Sequence, residues 1–184
     1  MFGIIGIFII STPLFIDAIQ LSNRVQFSSI YLLGQNGILE NLPYIVRIDQ
    51  TYSLYLGVQN NRDSISYYSV HVKLRNQTDL LTDVTGHDDS LQAIYEYYFA
   101  LSPNKNWEAP FSFLINSVAK HDSTSFVDGI SINDVDLIVN KQIVQNNLES
   151  FNLGFIFELW IFDSTTNTFQ FDDRFINLNL SFQN

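Results

Sequence analysis

Side chains able to do polar chemistry are plentiful in this chain but loosely spaced. Its 184 residues carry nineteen Asp and Glu, three His and no Cys, so disulfides and thiolate chemistry are excluded outright. The densest oxygen cluster is Asp83-Val84-Thr85-Gly86-His87-Asp88-Asp89. There Asp83, Asp88 and Asp89 surround a glycine turn and would suit calcium, which takes about six to eight oxygen ligands. The cluster lacks the spacing and terminal Glu of an EF-hand loop, and a polar surface loop is the plainer reading. His71, His87 and His121 stand far apart, which favours solvated imidazoles over a zinc site.

Paired carboxylates for glycoside hydrolysis would have to come from Glu96, Glu108, Asp136 and Glu158, and any chain this acidic offers such pairs. Glu158 stands out because it interrupts an apolar stretch, although a strand-edge or solvent-facing carboxylate is the ordinary reading there. No G-x-S-x-G elbow, P-loop or G-x-G-x-x-G occurs, so serine hydrolase, nucleotide hydrolase and dinucleotide-binding readings have no support. No catalytic residue, cofactor or firm metal ligand is therefore expected. Two glycosylation triplets, Asn76-Gln77-Thr78 and Asn179-Leu180-Ser181, make Asn76 and Asn179 acceptors if the domain is exported. Trp107, close to Pro110, is read as packing over one end of the core rather than as an exposed ligand contact.

The net charge of −10 arises from those acids against nine scattered Lys and Arg. A phosphate backbone needs a clustered basic face, so nucleic-acid binding is excluded. Aromatics make up 15% of the chain, enough bulky side chain to fill one core between two layers.

From residue 25 onward, short strand patterns alternate with turn signals. Strands are expected over residues 25–33, 43–49, 52–58, 66–75, 91–101, 111–118, 151–162 and 174–182. The clearest alternation puts Tyr68, Val70, Val72 and Leu74 on a dry face. Tyr67, Ser69, His71, Lys73 and Arg75 then share a wet one. Residues 151–162 are apolar on both faces, as in a central strand covered on its second side. Residues 123–150 are the least regular, with a strand and then a short helix expected over 133–146. Seven to nine strands of this kind predict an all-β, antiparallel, immunoglobulin-like two-sheet sandwich over residues 25–184, with a closed barrel as the alternative.

Residues 1–16 (MFGIIGIFIISTPLFI) carry no charge. Residues 1–22 are read as a hydrophobic helix anchored in membrane lipid through residues 1–21, since about twenty apolar residues span a bilayer. The alternatives are a cleaved signal, which would ordinarily show basic residues first and small residues at its end, and an apolar arm that is buried or inserted into a partner. Arg24, downstream of the segment, favours a cytoplasmic domain by the positive-inside rule, whereas the two triplets favour an external one.

The run Phe27-Ser28-Ser29-Ile30-Tyr31-Leu32-Leu33-Gly34 with Glu40-Asn41-Leu42-Pro43 resembles the opening of the archaeal family called domain of unknown function 1616. In that family an aromatic-rich strand ends in Y-x-L-G and leads to A-E-N-Y-P. Leu56-Gly57-Val58-Gln59-Asn60, Ser66-Tyr67-Tyr68-Ser69-Val70 and Trp107-Glu108-Ala109-Pro110 are similar to its G-V-x-N-x-E, N-Y-T-V and W-E-x-P elements. The departures are Leu42 in place of an aromatic residue and Arg62 in place of an acid. The resemblance covers residues 27–182 and implies an archaeal envelope protein that joins a membrane segment to an extracytoplasmic sandwich, with no established catalytic residues. A non-enzymatic binding or accessory/structural subunit at the cell membrane, fixed there by its helix, its domain facing outside and meeting an envelope protein partner, is the expected function. A filament subunit that uses the apolar arm is the alternative, and a small hydrolase around Glu158 the third reading.

Overall fold

The computed structural model describes residues 26–76, 79, 91–121, 124–145 and 151–182. The apolar N-terminal segment lies outside them, as do Asp83, His87, Asp88 and Asp89. Among the described residues no helix is long and apolar enough to cross a membrane.

Among the described residues, ten strands build two facing sheets. One holds β1 (Ser28–Leu33), β3 (Tyr52–Asn60), β6 (Lys105–His121), β7 (Thr124–Ile132) and β8 (Val135–Gln145), in that order. The second runs β5 (Ala93–Leu101), β4 (Ser66–Asn76), β9 (Phe151–Asp163), β10 (Thr168–Phe182), β2 (Ile45–Val46). All pairings are antiparallel except β2 on β10. Val144 and Gln145 at the end of β8 also pair with Asn152 and Phe151 of β9, which joins the two sheets. The order β5-β4-β9-β10 is that of the C′-C-F-G sheet of a variable-type immunoglobulin domain, whereas β6-β7-β8 forms a meander that such domains lack.

The inward faces follow from period-two alternation. Leu54, Leu56 and Val58 of β3 are buried, as are Tyr68, Val70, Val72 and Leu74 of β4. Phe111 and Phe113 of β6 meet Phe155 and Phe157 of β9 between the sheets. Phe111 lies edge-on to Phe155 and Phe157 with centroids 5.3 and 4.9 Å away, the geometry that aromatic quadrupoles favour. One end is closed by a polar network around fully buried Asn60. Its Nδ2 donates to the Leu101 and Ser64 carbonyls, both at 2.9 Å, and its Oδ1 accepts from the Tyr68 hydroxyl at 3.1 Å. Tyr68 also shares a hydrogen bond with Ser28, and Arg62 reaches both Ser28 and Asp172. Five strands are thereby tied together where β3 turns into β4.

Two sequence expectations are corrected. No helix follows a strand over residues 135–145. Asn133 and Asp134, with φ of 48° and 63°, form a tight two-residue turn of the kind that matches strand twist, and β8 continues as a strand to Gln145. The expected wet face of β4 is not wet throughout, because Ser69 and Lys73 are buried.

Candidate functional site

The outward face of the second sheet brings together side chains that lie far apart in the chain. Cross-strand register sets Glu96, His71, Glu158 and Phe175 in one row and Tyr98, Ser69, Trp160 and Phe171 in the next. Ile156 and Glu158 point away from the core between the sheets, yet both are 0% exposed. The Glu158 carboxylate is held by two donors on one oxygen, the Lys73 ammonium at 3.0 Å and the Trp160 indole N–H at 3.1 Å. A buried carboxylate of this kind requires a counter-charge and hydrogen bonds to remain ionised. His71 stacks on the Trp160 ring at 4.7 Å and approaches Glu96 to 3.8 Å. Tyr98 donates to Glu96 at 2.5 Å, and that bond is the main cause of its raised phenol pKa.

Beyond this charged row the face becomes an aromatic strip. Phe169 lies 5.4 Å from Phe162 and 5.6 Å from both Tyr67 and Tyr98, while Phe171 lies 5.9 Å from Trp160. Tyr67 and Tyr98 are 47% and 53% exposed. Contiguous exposed aromatics of this sort mark contact surfaces, because a rigid ring contributes large apolar area at small entropic cost. The chain's own signal for this strip is the second apolar face of residues 151–162. The contributions of Tyr67, Tyr98, Phe169 and Phe171 appear only once the strands are paired.

The carboxylates considered for hydrolysis fall in three places. Glu96 and Glu158 share the second sheet. Glu108 of β6 accepts from the Tyr31 hydroxyl at 2.8 Å, and Asp136 of β8 accepts from Ser131 and Asn116. Glu158 is therefore neither at a strand edge nor in solvent, as the sequence suggested, but enclosed and neutralised by Lys73. Of the four acids, Glu96 and Glu158 share a row with His71 between them, while Glu108 and Asp136 lie on the other sheet. No group of three or more His, Asp or Glu is placed to hold a metal among them. The His121 side chain and the calcium candidates Asp83, Asp88 and Asp89 lie outside the described set.

The two glycosylation candidates differ in their surroundings. Asn76 is 6% exposed, its Nδ2 donates to the Gln142 carbonyl at 2.7 Å and its Oδ1 accepts from the Asp79 N–H. Asn179 is exposed on β10, and its Oδ1 accepts from Arg75 at 2.9 Å. Trp107 stacks on Phe99 at 3.9 Å and meets Tyr97 edge-on.

No family model and no curated protein matches this chain. Among solved structures, it is similar to the CARDB domain of a Pyrococcus furiosus protein in complex with di-metal ions. That likeness has a TM-score of 0.42 and 8% identity, over 86% of this chain and 89% of that one. A β-glucosidase from Listeria innocua in complex with glucose has a TM-score of 0.39 and 8% identity, over 86% of this chain and 16% of the enzyme. The Pseudomonas fluorescens alkylpurine DNA glycosylase AlkC bound to DNA has a TM-score of 0.39 and 7% identity, over 85% and 30%. Likeness at this level carries neither activity nor ligand across, and the strand pairing itself defines the described residues as a two-sheet β-sandwich, antiparallel apart from β2 on β10.

Proposed function

We propose that the chain is a membrane-anchored, extracytoplasmic β-sandwich that serves as a non-enzymatic binding or accessory subunit of the archaeal cell envelope. Its aromatic face on the second sheet is the surface that meets a protein partner. The observation that carries this reading is the exposed pair Tyr67 and Tyr98 on a continuous aromatic strip. Such strips supply the anchor residues of protein interfaces. The uncharged residues 1–16 supply the reason for the membrane, and the resemblance to the archaeal family supplies the envelope setting. Exposed Asn179 suits a domain that faces outside.

The test is membrane fractionation of the full-length protein in its host, with intact-mass analysis and protease treatment of whole cells. An uncleaved protein that needs detergent for release and is digested from outside is the expected result. A soluble, polymeric or protease-protected product would overturn the reading and bring forward the filament alternative.

A further inference from the structure

A second surface, on the first sheet and away from the aromatic strip, has different chemistry. Where β1 leads to β2 and β2 to β3, a cleft of about 390 Å³ opens, within the range of small-ligand sites. Gln35, Asn36, Asn41 and Gln50 line it, with the hydroxyls of Thr51 and Ser53. Among the described residues no Lys, Arg, Asp or Glu side chain lines this cleft, so they offer neither a counter-charge for phosphate nor carboxylates for a cation. The four amides make no hydrogen bond within the described chain, which leaves each with its carbonyl acceptor and two N–H donors unspent. A second cleft of about 250 Å³ shares Gln35 and Asn36 and continues past the exposed ring of Tyr55 to Glu108.

The walls are pinned before any ligand arrives. Gly34 N–H donates to the Ile38 carbonyl at 2.7 Å, and Gly37 N–H donates back to Gly34 at 2.9 Å. A Cβ on Gly34 would sit 2.1 Å from the Glu40 carbonyl oxygen, so the coil is too tight for a side chain there. On the other wall, Asp49 N–H donates to Ile115 at 3.0 Å and Arg47 N–H to the Tyr52 hydroxyl at 2.9 Å. Asn41 and Asp49 take left-handed conformations, with φ of 61° and 59°. Such conformations persist in non-glycine residues when the surroundings hold them, often at binding sites.

We infer that this groove binds a neutral saccharide. Amides and hydroxyls that each donate and accept match the paired donor and acceptor character of sugar hydroxyls. Tyr55 offers an apolar ring for a sugar's C–H face, and the absence of cationic side chains disfavours phosphorylated or sulfated glycans. Because the loops are already ordered, little entropy is lost on binding. Gln35 and Asn36 line both clefts, so a sugar held by the amides of the first has the Tyr55 ring of the second as its neighbour. This inference does not depend on the anchor or on the aromatic face.

The experiment uses the full chain in a detergent that lacks a sugar headgroup, with a panel of neutral oligosaccharides of glucose, mannose, galactose and N-acetylglucosamine. Sulfated counterparts of the same length and free glycerol serve as comparators. The expected result is binding of at least one neutral oligosaccharide, with shifts in the side-chain amide NMR signals of Gln35, Asn36, Asn41 and Gln50. Asn41→Gly, which keeps the backbone conformation, and Gln50→Ala should each weaken that binding about tenfold. Gln170→Ala, on the far sheet, should leave it unchanged. Absence of binding to every neutral member, equal binding of the sulfated set, or binding that survives both variants with the amide signals unmoved would overturn the inference.

Discussion

At the scale of single residues, Lys73 and Glu158 dominate the energetics of the second sheet's outer face. The pair is enclosed, with side-chain exposures of 4% and 0%, so neither charge has water to fall back on. Lys73→Ala or Glu158→Ala alone should cost about 3–5 kcal/mol in urea unfolding, because the remaining charge is stranded. The double replacement Lys73→Met with Glu158→Leu should cost less than either, which a double-mutant cycle would read directly. Tyr97 works in a different way. Its hydroxyl donates to the Pro110 carbonyl at 3.1 Å and accepts from Asn133 Nδ2 at 2.8 Å, while Asn133 takes the Ser112 N–H. These bonds occupy backbone groups of β6 in the stretch before its pairing with β7 begins at Phe113. Burial raises the Tyr97 phenol from 10.0 to about 12. Below the lower value both states keep the proton. Between the two values the unfolded chain loses it while the folded chain holds it, so stability must fall as pH climbs through that window. Tyr97→Phe should cost about 1 kcal/mol at neutral pH and make the alkaline loss of stability shallower in pH-dependent denaturation.

At the scale of elements, β1 is joined to the molecule chiefly through β3, and one cross-strand pair shows how closely. Tyr31 stands opposite Gly57, and a Cβ on Gly57 would lie 2.2 Å from the Tyr31 ring. The ring lies flat over the glycine and from there donates to Glu108 on β6, so three strands depend on one absent side chain. Gly57→Ala should destabilise by about 1–3 kcal/mol through overpacking. Combining it with Tyr31→Ala should cost less than the sum of the two, because the clash goes with the ring. Chemical denaturation of the four species checks this. β5 lies at the other extreme of protection. Among the described residues it pairs only with β4, and it lacks the Lys and Pro that blunt most edges.

At the scale of the whole molecule, the sandwich is assembled from pairings of large sequence separation, such as Tyr68 with Ile161 and Val58 with Trp107. Folds of this type close long loops before any pairing compensates, and refolding is expected in the millisecond-to-second range by stopped-flow. The centre of the molecule is β9, flanked by β4 and β10 and buried on both faces from Leu153 to Leu159. Native-state hydrogen exchange should be slowest in β4 and β9 and fastest in β2 and β5. Rapid exchange throughout β9 would contradict this arrangement.

The all-β class, the inward face of β4 and the central position of β9 were legible in the amino-acid order. Strand alternation is local, so Tyr68, Val70, Val72 and Leu74 announce their shared face without reference to any partner. Residues 133–145 misled because Asn133 and Asp134 shape a turn through backbone conformation rather than hydropathy, and β8 has no long clean alternation. The tertiary structure alone decided the rest. Lys73 reads as a solvated base until β4 lies beside β9 and brings it to Glu158. Gln35 and Gln50 read as loop residues until the sheets hold their loops on either side of one cleft. Burial of a charge and convergence of amides depend on chain segments tens of residues apart, and no periodicity within a single segment encodes that.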